Sequence, residues 1–254
     1  MRTLLVIGIG AGNPDFMTVQ AIDALKRADV VFAFDKGEAK DSLVRVRKEI
    51  CERFIGDRPY RFVTIEDPVR DPRQRGYTRG VEDWHRARAE KLATRLAIEI
   101  PDGGCGAFLV WGDPGLYDST LRLIDIVRAD SGQAFACEVI PGISSVQALA
   151  ARHQIVLNAI GGAVTITTGR AIAERGLPRD AESIVVMLDG GEGLKAASRE
   201  DVDIYWGAYL GTPDEQLTAG RLADVIDEIE RLRAEGKARH GWIMDTYLLR
   251  RRSA

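Results

Sequence analysis

Short apolar runs alternate with amphipathic helical stretches over the first 140 residues of this 254-residue chain. A strand that is apolar along its whole length is typical of a parallel sheet with helices on both faces. The pattern therefore predicts an α/β fold with a parallel sheet in this part of the chain. The expected strands are 3–9, 30–34, 60–65, 107–111 and 135–140, and the expected helices are 15–28, 42–53, 81–99 and 117–130.

The pattern changes after Pro141, where strands become more frequent and helices fewer. The expected strands here are 164–168, 183–188 and 202–209. A last helix is expected over 221–235, with Gly236 ending it. The change in texture predicts two domains, an N-terminal α/β domain of residues 1–141 and a C-terminal α/β domain of residues 142–254. The arginines at 250–252 are interpreted as a frayed, solvated tail.

Composition and charge exclude several classes of function. The net charge of −3 argues against a basic nucleic-acid surface, so no nucleic-acid partner is expected. Cys51, Cys105 and Cys137 are far apart and form no ligand cluster with the three histidines, so no metal site is expected. We expect a cytoplasmic protein without membrane contact for three reasons. The cysteines are isolated, there is no apolar run of ~18 residues, and the chain starts directly with a predicted strand.

The turn after the first strand, residues 8–14, has the sequence GIGAGNP. Its glycines allow a sharp turn and a close ligand approach. A dinucleotide fingerprint requires glycine where Asn13 stands, and Pro14 occupies the first turn that would hold a pyrophosphate. A nicotinamide or flavin site, another ligand site and a turn without ligand all remain open from these residues alone.

Three further loops follow predicted strands: WGDPGLY at 111–117, PGISS at 141–145 and TTGR at 167–170. Ligands of open α/β sheets bind outside the carboxyl ends of the strands, so several such loops favour a binding site. Each loop alone has a structural interpretation as well. GDPG is an ordinary turn sequence, and Ser144 and Ser145 are suitable N-caps.

In order and spacing, four stretches of the chain resemble the tetrapyrrole (corrin and porphyrin) methylases: GIGAGNPDFMTVQAIDALKRADVV, VWGDPGLYDS, CEVIPGISS and ITTGR. The resemblance covers residues 3–220. It implies an N-terminal parallel-sheet domain and a C-terminal mixed-sheet domain with the ligand cleft between them. It also implies S-adenosylmethionine as methyl donor, S-adenosylhomocysteine as product, a small tetrapyrrole substrate and a homodimer.

The resemblance also implies which residues contact the donor. They are Gly10, Ala11, Trp111, Gly112, Asp113, Leu116, Ser144, Ser145, Leu188, Ala208, Tyr209 and Leu210. The sequence departs from the family at some of these positions. Ala11 stands where many members of the family have proline, and Trp111 stands where many have glycine. Leu188 and Asp189 stand where many members have methionine followed by glycine. Trp111 would bring an aromatic face to the donor's sulfonium cation.

The stretches GIGAGNPDFMTVQAI, RDPRQRGYTRGVEDWH and YWGAYLG are most similar to methylases of the cobalamin route. One activity of that route combines ring methylation with release of acetate, for which a water must be activated. Asp35, Asp113 and Asp118 are the candidate bases. For the substrate's carboxylates the candidate partners are Arg70, Arg73, Arg75 and Arg79, although a solvated loop explains them equally well.

Two alternatives to this activity remain open. The first is a relative of these methylases that acts on another precorrin, a protein side chain or ribosomal RNA. The second is a non-enzymatic regulator that binds S-adenosylmethionine.

Overall fold

The computed structural model describes residues 1–35, 41–68 and 77–252, and the chain divides into two compact units. The N-terminal unit comprises residues 1–10 and 14–143. The C-terminal unit begins at residue 144 and includes the short segment 11–13.

The N-terminal unit is built on a five-stranded sheet in which every neighbouring pair is parallel. Its strands are β1 (Arg2–Gly8), β2 (Val30–Asp35), β3 (Arg61–Glu66), β4 (Cys105–Val110) and β5 (Phe135–Ile140). Their order is β3-β2-β4-β1-β5. The strands β1, β2 and β4 at its centre are almost fully buried, which explains why their sequences are apolar on both faces.

Four helices cover the two faces of this sheet. They are α1 (Val19–Leu25), α2 (Asp41–Ile55), α3 (Tyr77–Glu99) and α4 (Thr120–Ser131). The strands β1, β2 and β4 contribute residues to both cores, of which one also contains residues of α1 and α2 and the other contains residues of α3 and α4. The neighbouring strands β2 and β4 are therefore followed by helices on opposite faces, and so are β4 and β1. Such a change of side opens a crevice at the carboxyl ends of the strands, where ligands of open α/β sheets bind.

The C-terminal unit contains a mixed sheet of order β6-β7-β10-β8-β9, in which only β6 and β7 are parallel among the described strands. The strands are β6 (Val164–Thr168), β7 (Ser183–Met187), β8 (Val202–Ala208), β9 (Gln216–Arg221) and β10 (Asp245–Arg251). The helices are α5 (Ser145–His153), α6 (Gly169–Arg175), α7 (Glu192–Ala197) and α8 (Leu222–His240).

Alternate residues of β8 point to opposite faces of the mixed sheet. Ile204 and Trp206 are fully buried in the core that also holds residues of α6, α7 and α8. Tyr205 points to the other face, where its ring lies 5.6 Å from that of His153 at the end of α5. His153 Nε2 is also within hydrogen-bond distance, 2.9 Å, of the Trp206 carbonyl. The predicted α/β class, with a parallel sheet followed by a mixed sheet, is confirmed.

The helix predicted over 15–28 is shorter in the structure. A 3-10 turn occupies Pro14–Phe16, and α1 begins only at Val19 because Thr18 caps it, with Thr18 Oγ1 accepting a hydrogen bond from Ala21 N at 3.0 Å. The helical spacing of Phe16, Val19, Ile22 and Leu25 also predicts Val19 on the apolar face, but Val19 is 76% exposed. The buried residues of α1 are Ala21, Ala24 and Leu25, and a search for large apolar side chains finds only the last of them.

The end of the last helix was predicted wrongly. Gly236 lies inside α8, which continues to His240 and is capped by Gly241 at φ 75°. A Cβ at position 236 would lie 2.8 Å from Tyr209 Oη, so a glycine is needed there for packing rather than for termination. The helices α6 and α7 and the strand β9 were not predicted either.

The expected arginine tail is also wrong for two of its three residues, because Arg250 and Arg251 belong to β10, the middle strand of the mixed sheet. Arg250 Nη2 donates to the Val156 carbonyl at 2.6 Å, and Arg251 Nη2 donates to that of Pro178 at 3.1 Å. Across the part of the chain that the structure describes, no helix has the length and apolarity needed to cross a membrane.

Candidate functional site

The turns after β1 and β4 are joined directly by their backbones. Gly10 N donates to the Gly112 carbonyl at 3.3 Å, and Gly112 N donates to the Gly10 carbonyl at 2.8 Å. Both glycines are left-handed, with φ of 82° and 71°. A side chain would be strained at either position, so the backbone itself forms this end of the β1/β4 crevice.

A third turn, after β5, packs against the first two. A Cβ on Gly8 would lie 2.6 Å from Gly142 N and 2.8 Å from the Gly112 carbonyl oxygen. Asp113 ties the turns together, because its Oδ2 accepts from Gly142 N at 2.9 Å and its Oδ1 accepts from Gly115 N at 2.8 Å. Gly8 and Gly142 are therefore required by backbone packing, whereas the sequence suggested that glycines serve ligand approach.

Two further residues that were predicted to contact the methyl donor, Trp111 and Leu116, lie next to these turns. Trp111 is half-buried and packs against the core on the side of α1 and α2. Leu116 is half-buried and donates its backbone N–H to the Asp113 carbonyl at 3.2 Å. Its neighbour Tyr117 is 45% exposed and has a φ of 53°. A left-handed tyrosine is uncommon, and backbone strain of this kind clusters at functional sites.

In the C-terminal unit, Ser144 is the N-cap of α5 and forms a capping box with Gln147. Its hydroxyl accepts from Val146 N at 3.2 Å, so the structural interpretation of this serine holds. Ser145 is the first residue of the helix, and its Oγ accepts a hydrogen bond from Thr246 Oγ1 at 2.9 Å. Ala11, counted with this unit, is buried.

The remaining residues that were predicted to contact the methyl donor lie at the carboxyl ends of β7 and β8. Thr246 of β10 pairs with the last residue of β7 and with Gly207 of β8, so both strands end at the same edge of the sheet. Leu188 follows β7 with φ 52° and is 65% exposed, and Tyr209 follows β8 with φ 51° and is buried. Ala208 and Leu210 are buried too, which leaves their backbone as the group able to contact a ligand.

A buried polar network, which the sequence did not reveal, supports this edge. Asp189 accepts hydrogen bonds from Gly193 N at 3.0 Å and Leu194 N at 2.9 Å, and from Tyr247 Oη at 2.8 Å. Arg233 donates to the Asp189 carbonyl at 2.9 Å and pairs with Asp245. Burial raises the pKa values of Asp245 and Tyr247. Because Asp189 is held by so many bonds, it fixes the strained backbone of the preceding Leu188.

The three candidate bases all follow strands of the parallel sheet, but they differ in their surroundings. Asp35 lies at the exposed end of β2. Both oxygens of Asp113 accept backbone N–H groups, an arrangement that suits positioning. Asp118 Oδ1 accepts from Thr120 N at 2.6 Å, and Asp118 lines a pocket between β2 and β4.

That pocket is the second crevice of the parallel sheet. The strands β2 and β4 are paired only as far as Phe32 and Phe108, and beyond that point they separate. Arg47 of α2 enters the gap and donates from Nε to the Leu109 carbonyl at 2.9 Å. Arg88 of α3 lines the same pocket and is only 5% exposed.

The sequence analysis missed Arg47 and Arg88, although a signal was present. Arg47 lies among the apolar positions of α2 that include Ile50 and Cys51, and Arg88 lies among those of α3 that include Leu92. A charge on the apolar stripe of an amphipathic helix is unusual and indicates a buried polar site. The predicted substrate residues Arg70, Arg73 and Arg75 lie outside the described residues, as does the side chain of Arg79.

The three cysteines are protonated thiols at neutral pH. Burial raises the pKa of Cys51 to about 12, and burial also raises the pKa values of Cys105 and Cys137. A thiol becomes a nucleophile only as the thiolate, so these side chains are poor candidates for covalent catalysis.

The parallel sheet has bridged glycine turns at its strand ends, and this is where α/β proteins of this class bind small ligands. The chain belongs to the tetrapyrrole (corrin/porphyrin) methylases, whose family model matches residues 3–226. It is therefore an S-adenosylmethionine-dependent methyltransferase.

Individual relatives agree with this family. The chain is 49% identical to the precorrin-6A synthase [deacetylating] of a Sinorhizobium species, over 99% of this chain and 96% of that protein. It is 29% identical to a precorrin-2 C(20)-methyltransferase of Sinorhizobium, over 80% of this chain and 82% of the relative. A crystal structure of a cobalamin synthesis related protein (CobF) from Corynebacterium diphtheriae matches with a TM-score of 0.82 and 41% identity, over 98% of both chains.

Proposed function

We propose that this enzyme methylates carbon 1 of precorrin-5 and releases the acetyl group carried there as acetate, which gives precorrin-6A. The observation that supports this most strongly is the 49% identity to precorrin-6A synthase [deacetylating] along nearly the whole of both chains. The stretches GIGAGNPDFMTVQAI and YWGAYLG point to the same activity.

The proposed donor contacts are the twelve residues that the family resemblance implies. In the N-terminal unit they are Gly10, Trp111, Gly112, Asp113 and Leu116, and in the C-terminal unit they are Ala11, Ser144, Ser145, Leu188, Ala208, Tyr209 and Leu210. Two features favour this assignment. The bridged Gly10 and Gly112 present bare backbone, and Leu188 is a large apolar side chain held exposed at a strained position.

S-adenosylmethionine supplies a methyl group on a sulfonium, and the acceptor is an electron-rich ring carbon. The protein's task in such a displacement is to hold the two reactants close and aligned, which can supply ~7–11 kcal/mol. No covalent nucleophile is needed, in keeping with the raised pKa values of the thiols.

Acetate release needs a water directed at the acetyl carbonyl, and a carboxylate can take the water's proton. Asp35 and Asp118 are proposed as candidates for that base. Asp113 is assigned mainly to positioning, because Gly115 N and Gly142 N already occupy its two oxygens.

The test supplies enzymatically prepared precorrin-5 and methyl-labelled donor, and follows product mass and acetate separately. We expect one methyl group incorporated for each acetate released. Each aspartate is then changed to asparagine. The methyl group replaces the acetyl group at carbon 1, so the electron pair of the broken bond to the acetyl carbon is the pair that takes the methyl group. A variant at the true base should therefore lose acetate release and methyl transfer together, while its Kd for S-adenosylhomocysteine stays unchanged. Retention of both activities in all three variants would mean that none of these aspartates is the base.

A second candidate is methylation of a different precorrin, which the similarity to the precorrin-2 C(20)-methyltransferase favours. The same assay distinguishes the two. Methyl incorporation into precorrin-2 but not into precorrin-5, without acetate, would replace the first proposal. Donor binding without turnover of any tetrapyrrole would favour a non-tetrapyrrole substrate or a regulatory role.

We further propose that the enzyme is a cytoplasmic homodimer with domains 1–141 and 142–254. The isolated cysteines with raised pKa values suit a reducing compartment. Large apolar side chains that stay exposed in the C-terminal unit, Val156 and Ile160 among them, suit a partner surface.

A further inference from the structure

We propose that the pocket between β2 and β4 binds a carboxylate side arm of the substrate, with Arg47 as its direct partner. The identity of the acid as a tetrapyrrole rests on the proposed function. The pocket itself lies entirely within the N-terminal unit and is lined by residues of α2, α3, β2, β4 and the start of α4.

Arg47 makes its hydrogen bonds to backbone carbonyls and not to a carboxylate. Its Nε donates to the Leu109 carbonyl at 2.9 Å and its Nη1 to the Leu43 carbonyl at 2.8 Å. Within the described ranges no carboxylate forms an ion pair with it. A guanidinium has five N–H donors, so donors remain for a ligand. Burial lowers the pKa of Arg47 to about 10, which leaves the group charged at neutral pH.

Arg88 is fixed by other groups and forms a wall of the pocket. Its Nε lies 2.9 Å from Asp67 Oδ1, and its Nη1 donates to Ser119 Oγ at 3.2 Å. The guanidinium also stacks on the rings of Phe34 and Trp84, at 3.9 and 4.4 Å from their centroids. Since Asp67 pairs with Arg88, Arg47 is the cation left for an incoming anion among the described residues that line the pocket.

Asp118 is the opposing charge in the pocket. It contributes to the electrostatic environment of both arginines, yet it forms no ion pair within 4 Å among the residues described. One of its oxygens is held by Thr120 N. A ligand carboxylate in direct contact with Arg47 gains a charge-assisted hydrogen bond that Asp118 does not make, at the cost of some repulsion from Asp118.

The size of the pocket suits an arm and not a ring. Its cavity volume is about 80 Å³, and by this measure a single water needs about 10–15 Å³. A carboxylate with its short methylene chain fits, whereas a macrocycle does not. Val44, Phe108 and Val110 provide apolar wall for the methylene groups.

The pocket shares β4 with the turn proposed to hold the donor. The Leu109 carbonyl accepts from Arg47, and the next carbonyl, that of Val110, accepts from Ile9 N at 2.9 Å in the glycine turn. An arm anchored at Arg47 would therefore orient the ring against the β1/β4 crevice. Such orientation is the main service that the methyl transfer requires.

The first test uses propionate as probe and propionamide as its neutral counterpart. Both are titrated into 15N-arginine-labelled protein while the Nε–H resonance of Arg47 is followed by NMR. Propionate should shift this resonance in a saturable way, and propionamide should not. Asp118→Asn should tighten the propionate response, because it removes the opposing charge. Equal responses to the two probes would overturn the proposal, whatever the methylation assay gives.

The second test measures KM for precorrin-5 and the Kd for S-adenosylhomocysteine. Arg47→Gln should raise KM about tenfold or more, the effect of losing one charge-assisted hydrogen bond. The Kd should stay within about twofold, and Arg47→Lys should recover part of the loss. Arg45→Gln, at an exposed position of the same helix, is the matched control.

These results separate the possible failures. Propionate binding at Arg47 without turnover of precorrin-5 would reject the proposed reaction and keep the carboxylate pocket. A KM in Arg47→Gln no higher than in Arg45→Gln would overturn the side-arm assignment, even if propionate bound to Arg47 in the wild-type protein.

Discussion

Gly142 shows at the scale of single residues how packing decides a position that looks functional. A Cβ there would lie 2.8 Å from the Gly8 Cα and closer still to the Gly112 carbonyl oxygen, and all these atoms belong to backbone that cannot rotate away. The φ of Gly142 is not left-handed, so any effect of a methyl group must come from overlap. The sequence placed this glycine in a ligand loop but could not reveal which backbone it meets.

We expect Gly142→Ala to lower the free energy of unfolding by about 1–3 kcal/mol, the usual cost of overpacking. Denaturant unfolding followed by circular dichroism measures it. Gly190→Ala is the control, because a Cβ at that glycine would meet nothing within 4 Å. Equal stability of the two variants would show that the three turns can separate without cost.

Sequence reasoning could locate residues whose structural role depends on their neighbours in the sequence. Ser144 is a recognisable cap, and Gly10 and Gly112 are recognisable turn residues, whereas the cap at Thr18 was missed. Arg47 is different, because its role depends on where β2 separates from β4, a long-range property of the sheet.

Asp29 acts at the scale of secondary-structure elements, because it aligns the starts of three strands. It precedes β2, and its Oδ2 accepts from Cys105 N of β4 at 2.9 Å. Its own carbonyl accepts from Arg61 N of β3 at 3.0 Å, and its Oδ1 pairs with Arg58 at 3.0 Å. The hydrogen bond from Cys105 N, helped by Arg58, lowers the pKa of Asp29 below its ordinary value of 3.8.

A carboxyl group whose pKa is lowered by folding stabilises the protein above its unfolded pKa and loses that effect as the pH falls through the folded value. We expect Asp29→Asn to cost up to about 1 kcal/mol at pH 7, since the side chain is half exposed. The difference from wild type should shrink below pH 4. Unfolding from pH 7 to pH 2.5 tests this, with the exposed Asp23→Asn as control. A difference that stays constant with pH would contradict the assignment.

Elements with a regular pattern were predictable, and those defined by distant partners were not. The strand β5 was predicted with its observed bounds because its apolar run ends at Pro141. The strand β10 was missed because two of its seven residues are arginines, whose partners are carbonyls far away in sequence. The residue pattern of the segment alone cannot show that it forms the middle strand of a sheet.

At the scale of the whole molecule, the proposed homodimer is directly testable. Light scattering should give twice the chain mass of 27.9 kDa. Ile160 is fully exposed, and we expect Ile160→Asp to shift the protein towards monomer if it lies in the interface. Ile98→Asp, on α3 and 67% exposed, is the control. A wild-type protein that is monomeric at all concentrations would refute the dimer.

The family and the α/β class could be derived from the sequence because four loops keep their spacing along the chain. The second half was less predictable, since its sheet joins strands that are distant in sequence. The domain boundary at residue 141 stays a prediction, as do the donor and base assignments.

The central position of β10 in its sheet has a consequence for folding while the protein is being synthesised on the ribosome. The strands β7 and β8 both need β10 as a neighbour, yet β10 is made after every other strand of its sheet. Until residues 245–251 emerge, the nascent chain exposes two unpaired apolar edges, one of them containing Ile184, Val185 and Val186. Unpaired edges of this kind invite association with other chains. A pause or arrest of translation late in the message should therefore yield aggregates, whereas an arrest after β5 leaves a sheet whose strands have all been made.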